Sequence, residues 1–147
     1  MGQSIKLFTV ADAEKTLPLV QRILGDIVTA FAERDQRRAD RGETGDDPQR
    51  LEEFDAEIAR CEEDAARYLA ELQQIGVQLK DVRLGLVDFF SRYNGRVVCL
   101  CWKLDEGDAI GWWHDLHSGF RGRQPITHEN RALFKGAQPG EKPIELG

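Results

Sequence analysis

No apolar run in this 147-residue chain approaches the roughly 18–20 residues that a membrane span needs. The opening segment MGQSIKLFTV lacks an apolar signal core followed by a small-residue cleavage site. Position 6 is Lys6, where a myristoylation signal calls for Ser or Thr. The expectation is a cytoplasmic protein with no membrane contact. Cysteine is scarce and odd in number, three residues in all, so free thiols are expected rather than a disulfide framework. A positive balance is missing as well. Net charge is −6, and residues 1–80 hold 11 Lys/Arg against 17 Asp/Glu, while residues 81–147 hold nine of each. An acidic first half repels phosphate backbones, which argues against nucleic-acid binding.

Several motifs are absent too. No GKS or GKT follows a glycine-rich loop, so there is no phosphate-binding P-loop. No serine or cysteine has the strand–turn–helix context of a nucleophile elbow. There is no paired CxxC knuckle.

What remains is a scaffold with one dense segment. Thr9 and Asp12 resemble a helix-starting box. Ala13, Leu17, Val20, Leu24, Ile27 and Phe31 then recur at spacings that place one apolar stripe on a helix. Pro18 interrupts this stripe and is expected to kink or split the helix, which should fade through Glu33–Arg41. Residues 42–48, GETGDDP, read as a polar linker. A second stripe follows at Leu51, Phe54, Ile58, Cys61, Ala65, Tyr68, Leu72 and Ile75, and Gly76 ends it. Residues 8–75 therefore predict an antiparallel helical hairpin.

Beyond Gly76 the period becomes strand-like. Val77–Leu79, Leu84–Tyr93, Arg96–Leu104 and Ala109–Asp115 are predicted strands, with Asn94-Gly95 as a two-residue hairpin turn. The fold class is α+β: a long helical hairpin on a three- or four-stranded antiparallel meander. It should form one domain, with the meander and a site loop over residues 77–126 and an irregular tail over 138–147. The heptad-like stripes could also join two copies, so a homo-oligomer is expected.

Residues 95–126 hold all three tryptophans, two cysteines, two histidines and three arginines. Hairpin pairing sets Asp88 opposite Cys101, and a second turn pairing Leu104 with Ala109 sets Cys101 opposite Trp112 and Cys99 opposite His114. Strand alternation then sorts the sheet. Val87, Phe89, Val98, Leu100, Trp102, Leu104 and Trp113 fall on one face, destined for the helices. Leu86, Asp88, Phe90, Val97, Cys99, Cys101, Lys103, Ile110, Trp112 and His114 fall on the other.

That second face offers two chemistries. Asp88, Cys101, Trp112 and His114, with Arg121 and Arg123 from the glycine-flanked loop Gly119–Gln124, could bind a small anion. Cys101, His114, Asp88 and His117 could instead hold zinc or iron, in a metal-binding protein or a metal-dependent enzyme. Cys99 would join that set through the C-x-C spacing. A Cys99–Cys101 disulfide is disfavoured, because same-face neighbours lie about 6.6–6.8 Å apart. The bland alternative is cysteines serving as small hydrophobes and a histidine hydrogen-bonded at a strand end. A third reading is an interaction module working through its helices. Whether the chain is an enzyme stays open at this level.

Phe8-Thr9-Val10, Leu17-Pro18, Lys80-Asp81, Gly85–Phe89, Gly95-Arg96, Leu100-Cys101-Trp102, Trp113-His114, Gly119-Phe120 and Gly122-Arg123 together resemble the bacterial family catalogued as domain of unknown function 2203. The resemblance runs from Phe8 to about Ile126. It places Asp88, Cys101, Trp113, His114, Gly119, Gly122 and Arg123 on family motif positions. It places Cys99 and Trp112 on variable ones, which shifts weight from Cys99 to Cys101. It brings no activity with it.

Overall fold

The computed structural model describes residues 3–146. Met1, Gly2 and Gly147 lie outside that range, and with them the amino-terminal Met-Gly and the last residue of the expected tail.

A 34-residue helix, α1 (Val10–Glu43), starts where the sequence placed it. The Thr9 hydroxyl accepts a hydrogen bond from the Asp12 N–H at 3.0 Å, satisfying one of the free donors of the first turn. The helix neither splits at Pro18 nor fades before Glu43. Pro18 removes a single backbone donor on an exposed position, while Leu17 and Val20 beside it are fully buried. Tertiary packing holds the helix across the gap.

The expected linker shrinks to residues 44–47, because α2 (Pro48–Ile75) begins at the proline, with Asp47 as its N-cap. Gly76 ends α2 in the left-handed region, φ 99°, its N–H donating to the Leu72 and Gln73 carbonyls.

The sheet has five antiparallel strands rather than three or four. They are β2 (Val77–Asp81), β3 (Leu86–Tyr93), β4 (Arg96–Lys103), β5 (Trp112–Asp115) and β6 (Gln124–Pro125), in that spatial order. The register matches the expected pairs: Asp88 opposite Cys101, Cys101 opposite Trp112, and Cys99 opposite His114. The third strand is shorter than expected. Leu104–Glu106 forms a 3-10 turn and Gly107 takes φ 82°, so residues 109–111 are not strand. Strand parity therefore does not govern Ile110, which lies in the main core instead of on the mixed face. Its N–H donates to Glu14 of α1 at 2.8 Å.

The main core joins one face of α1 to one face of the sheet. Leu17, Val20, Leu24 and Ile27 meet Val87, Phe89, Leu100, Trp102 and Trp113. Beyond Ala30, α1 has no buried residue. There the hairpin is held by Phe54, Cys61 and Ala65 of α2 and by exposed ion pairs such as Arg41–Asp55 at 2.7 Å and Arg37–Glu57 at 2.9 Å.

The opposite face of the sheet is covered as well. A short strand β1 (Gln3–Ile5) pairs with β7 (Ile144–Leu146), which falls inside the tail expected to be irregular. Ile5, Ile144, Leu146 and Leu7 pack over Phe90 and Cys99. No helix among the described residues is long and apolar enough to cross a membrane.

Candidate functional site

Asp88 sits on β3 and His114 on β5, with β4 between them. Their backbones are thus about 9–10 Å apart, yet the side chains meet. His114 Nε2 lies 3.0 Å from Asp88 Oδ1, and both residues are about 3 % exposed. They reach each other across the middle strand, where positions 99 and 101 point to the same side. Cysteine at both positions leaves room that a larger side chain would fill. Small thiols under a long-reaching pair make this arrangement possible.

The other imidazole nitrogen, Nδ1, lies 2.7 Å from the Asp115 carbonyl oxygen. Burial pulls the imidazole toward its neutral form. Hydrogen bonds to Asp88, to the Cys101 side chain and to the Asp115 carbonyl, together with the Asp88 charge, outweigh that and push the pKa up to about 10. His114 is therefore an imidazolium at neutral pH when nothing else occupies the pair. Burial, reinforced by the charge of Asp88, pushes the Cys99 thiol up. Cys99 is a protonated thiol rather than a ready nucleophile.

The Sγ of Cys99, an imidazole nitrogen of His114 and a carboxylate oxygen of Asp88 lie within 4.8 Å of one another. Cys99, set aside on the family resemblance, is thus the cysteine that joins the ligand cluster. Cys101 lies outside that cluster. The signal for Cys99 was already in the strand register, which set it directly opposite His114.

The pair forms the floor of a cleft of about 170 Å³, lined also by Lys80, Leu86, Leu116, His117, Gly119 and Phe120. His117 is exposed on the rim and outside the three-residue cluster. Lys80 was not anticipated. It follows from β2, where Gln78 pairs with Asp88 and the register shifts between Leu79 and Asp81. A cleft of about 500 Å³ lies beside Thr9, Phe134 and Lys135, but its arginine, Arg131, is bound to Glu14.

The arginines do not line the cleft. Arg123 is clamped between the rings of Trp112 and Phe120, with its guanidinium carbon 4.8 and 4.7 Å from their centres. Its Nη2 donates to both carboxylate oxygens of Glu106 at 2.7 Å. Its charge is neutralised within the fold, and Nε has no hydrogen-bond partner among the described residues. Arg121 is exposed on the 3-10 turn Phe120–Gly122. Trp112 and Arg123 therefore come together as expected, but with Glu106 rather than with Asp88 and His114. Glu106 was missed because its partner is 17 residues away, with no periodic pattern linking them.

No curated protein and no solved structure matches the chain. Residues 6–126, which include every strand of the five-stranded sheet and the whole lining of the cleft, match the family described as Uncharacterized conserved protein (DUF2203), and the chain belongs to that family.

Proposed function

We propose that the protein is a non-catalytic binding module whose site is the cleft over Asp88 and His114, and that it receives a small anionic ligand such as an oxyanion or a carboxylate. The observation that carries this reading is the buried Asp88–His114 pair at the floor of a cleft whose other titratable lining groups, Lys80 and His117, are both basic. The Asp88 carboxylate balances the imidazolium, so Lys80 leaves the lining with an excess of positive charge inside a protein of net −6. Low-dielectric walls concentrate such a local field. The anion reading shifts from the arginines, which Glu106 and solvent occupy, to Lys80, His114 and His117.

Thermal melting with inorganic phosphate and with acetate, against sodium chloride at matched ionic strength, tests this reading. A ligand at 100 times its dissociation constant adds about 2.7 kcal/mol of stability. A melting rise for the wild type that Lys80→Ala loses supports the reading. Identical melting in all three salts overturns it.

A further inference from the structure

We infer that Asp88, Cys99 and His114 form a three-ligand site for a divalent transition-metal ion of the zinc class, with its open coordination position facing the cleft. The inference rests on the cleft being the binding site and deepens that reading, since the metal's open coordination position would receive the anion.

The Asp115 carbonyl can only accept, so His114 Nδ1, 2.7 Å away, carries a hydrogen. Nε2 then faces Asp88 Oδ1 at 3.0 Å, and an ionised carboxylate also only accepts. Two acceptors 3.0 Å apart are joined by a proton, and a metal ion that takes its place parts them by a few tenths of an ångström. Cys99 favours the metal, because beyond being small it brings a third donor within 4.8 Å of the other two. Imidazole, carboxylate and thiolate are together a zinc-type donor set.

A tetrahedral ion holds such donors about 3.3–3.6 Å apart, so Asp88 and His114 part slightly from 3.0 Å while Cys99 closes from within 4.8 Å, side-chain shifts of about 1 Å. The three ligands stand on β3, β4 and β5, the central strands of the sheet. The Nδ1–carbonyl bond is the outer contact that commonly fixes a ligating imidazole. One carboxylate and one thiolate balance a divalent ion. None of the three residues is more than 3 % exposed. Asp88 and His114 line the cleft, so the fourth position opens there, where water or an anion can enter.

The test uses full-length chain purified without a histidine tag, stripped with a chelator and titrated with cobalt as a spectroscopic substitute for zinc. The expected result is one equivalent bound, with tetrahedral d–d bands and a thiolate-to-cobalt charge-transfer band. Cys99→Ser should lose the charge-transfer band and weaken binding by about 100-fold or more, while Cys101→Ser keeps both. Circular dichroism confirms that each variant is folded. Folded wild type without stoichiometric cobalt or zinc, or a charge-transfer band unchanged in Cys99→Ser, overturns the inference. Phosphate separates the two readings. If the stripped protein still gains stability from phosphate but binds no cobalt, the metal reading falls and the anion site stands. If cobalt binds through Cys99 but phosphate changes neither spectrum nor melting, the metal stands and the anion reading falls.

Discussion

Two ion pairs of similar geometry sit in opposite surroundings. At the far end of the hairpin, Arg41 meets Asp55 at 2.7 Å with side chains 41 % and 59 % exposed. Under the sheet's second face, His114 meets Asp88 at 3.0 Å with both 3 % exposed. The first pair stays hydrated, gains little and loses little. The second has been taken out of water, a penalty of several kcal/mol per ion that attraction only partly offsets. A helical hairpin needs pairs of the first kind for solubility. A sheet gains no stability from a pair of the second kind that leucine or phenylalanine could not supply. The contrast supports the proposal that Asp88 and His114 form a binding site.

The largest expected effect comes from breaking the buried pair on one side. Asp88→Ala leaves a buried imidazole without its counter-charge and should destabilise the metal-free protein by about 3–5 kcal/mol, read by urea unfolding. If instead the loss is under about 1 kcal/mol, the pair is no more demanding than Arg41–Asp55 and the contrast fails.

Arg123→Ala comes next. It removes the clamp between Trp112 and Phe120 and leaves the half-buried Glu106 without its counter-charge, held only by the Lys103 N–H, for about 1–3 kcal/mol. The phosphate-dependent melting shift should survive, because Arg123 does not line the cleft. Loss of that shift would return the anion site to the arginines.

A third pair lies between these extremes, at Glu14 and Arg131. Hydrogen bonding to Arg131 holds the Glu14 carboxyl below its ordinary value, against the opposing effect of partial burial. A folded-state value below the unfolded one gives stability that is present above about pH 4.3. That stability is lost as pH falls through the lowered folded-state value. Wild type and Glu14→Gln should therefore converge in stability on acidification below about pH 4 and differ at neutral pH. A gap that widens in acid would contradict this. Arg41→Ala should have the smallest effect, under about 1 kcal/mol, and shrink further in high salt.

Much of the sheet register behind the buried pair was legible in the sequence, for identifiable reasons. The Asn94-Gly95 turn sets the β3–β4 register and so the Asp88–Cys101 pairing. The β4–β5 pairs came out as expected although the turn between them did not. Leu104–Glu106 and Gly107 replace the expected turn by a 3-10 turn that brings the same residues opposite each other, while releasing Ile110 into the core. Spacing could not show that His114 reaches past β4 to Asp88, because that depends on side-chain length and on small neighbours. Nor could it show β7, a three-residue strand whose partner β1 lies at the other end of the chain. The preference for Cys101 over Cys99 came from resemblance. Register alone would have kept Cys99.

The nitrogen-15 chemical shifts of the two His114 ring nitrogens at neutral pH report directly on what lies between His114 and Asp88. Nδ1 should be protonated, and Nε2 should carry either a proton or a metal ion. A bare Nδ1, or an Nε2 with neither, would contradict this.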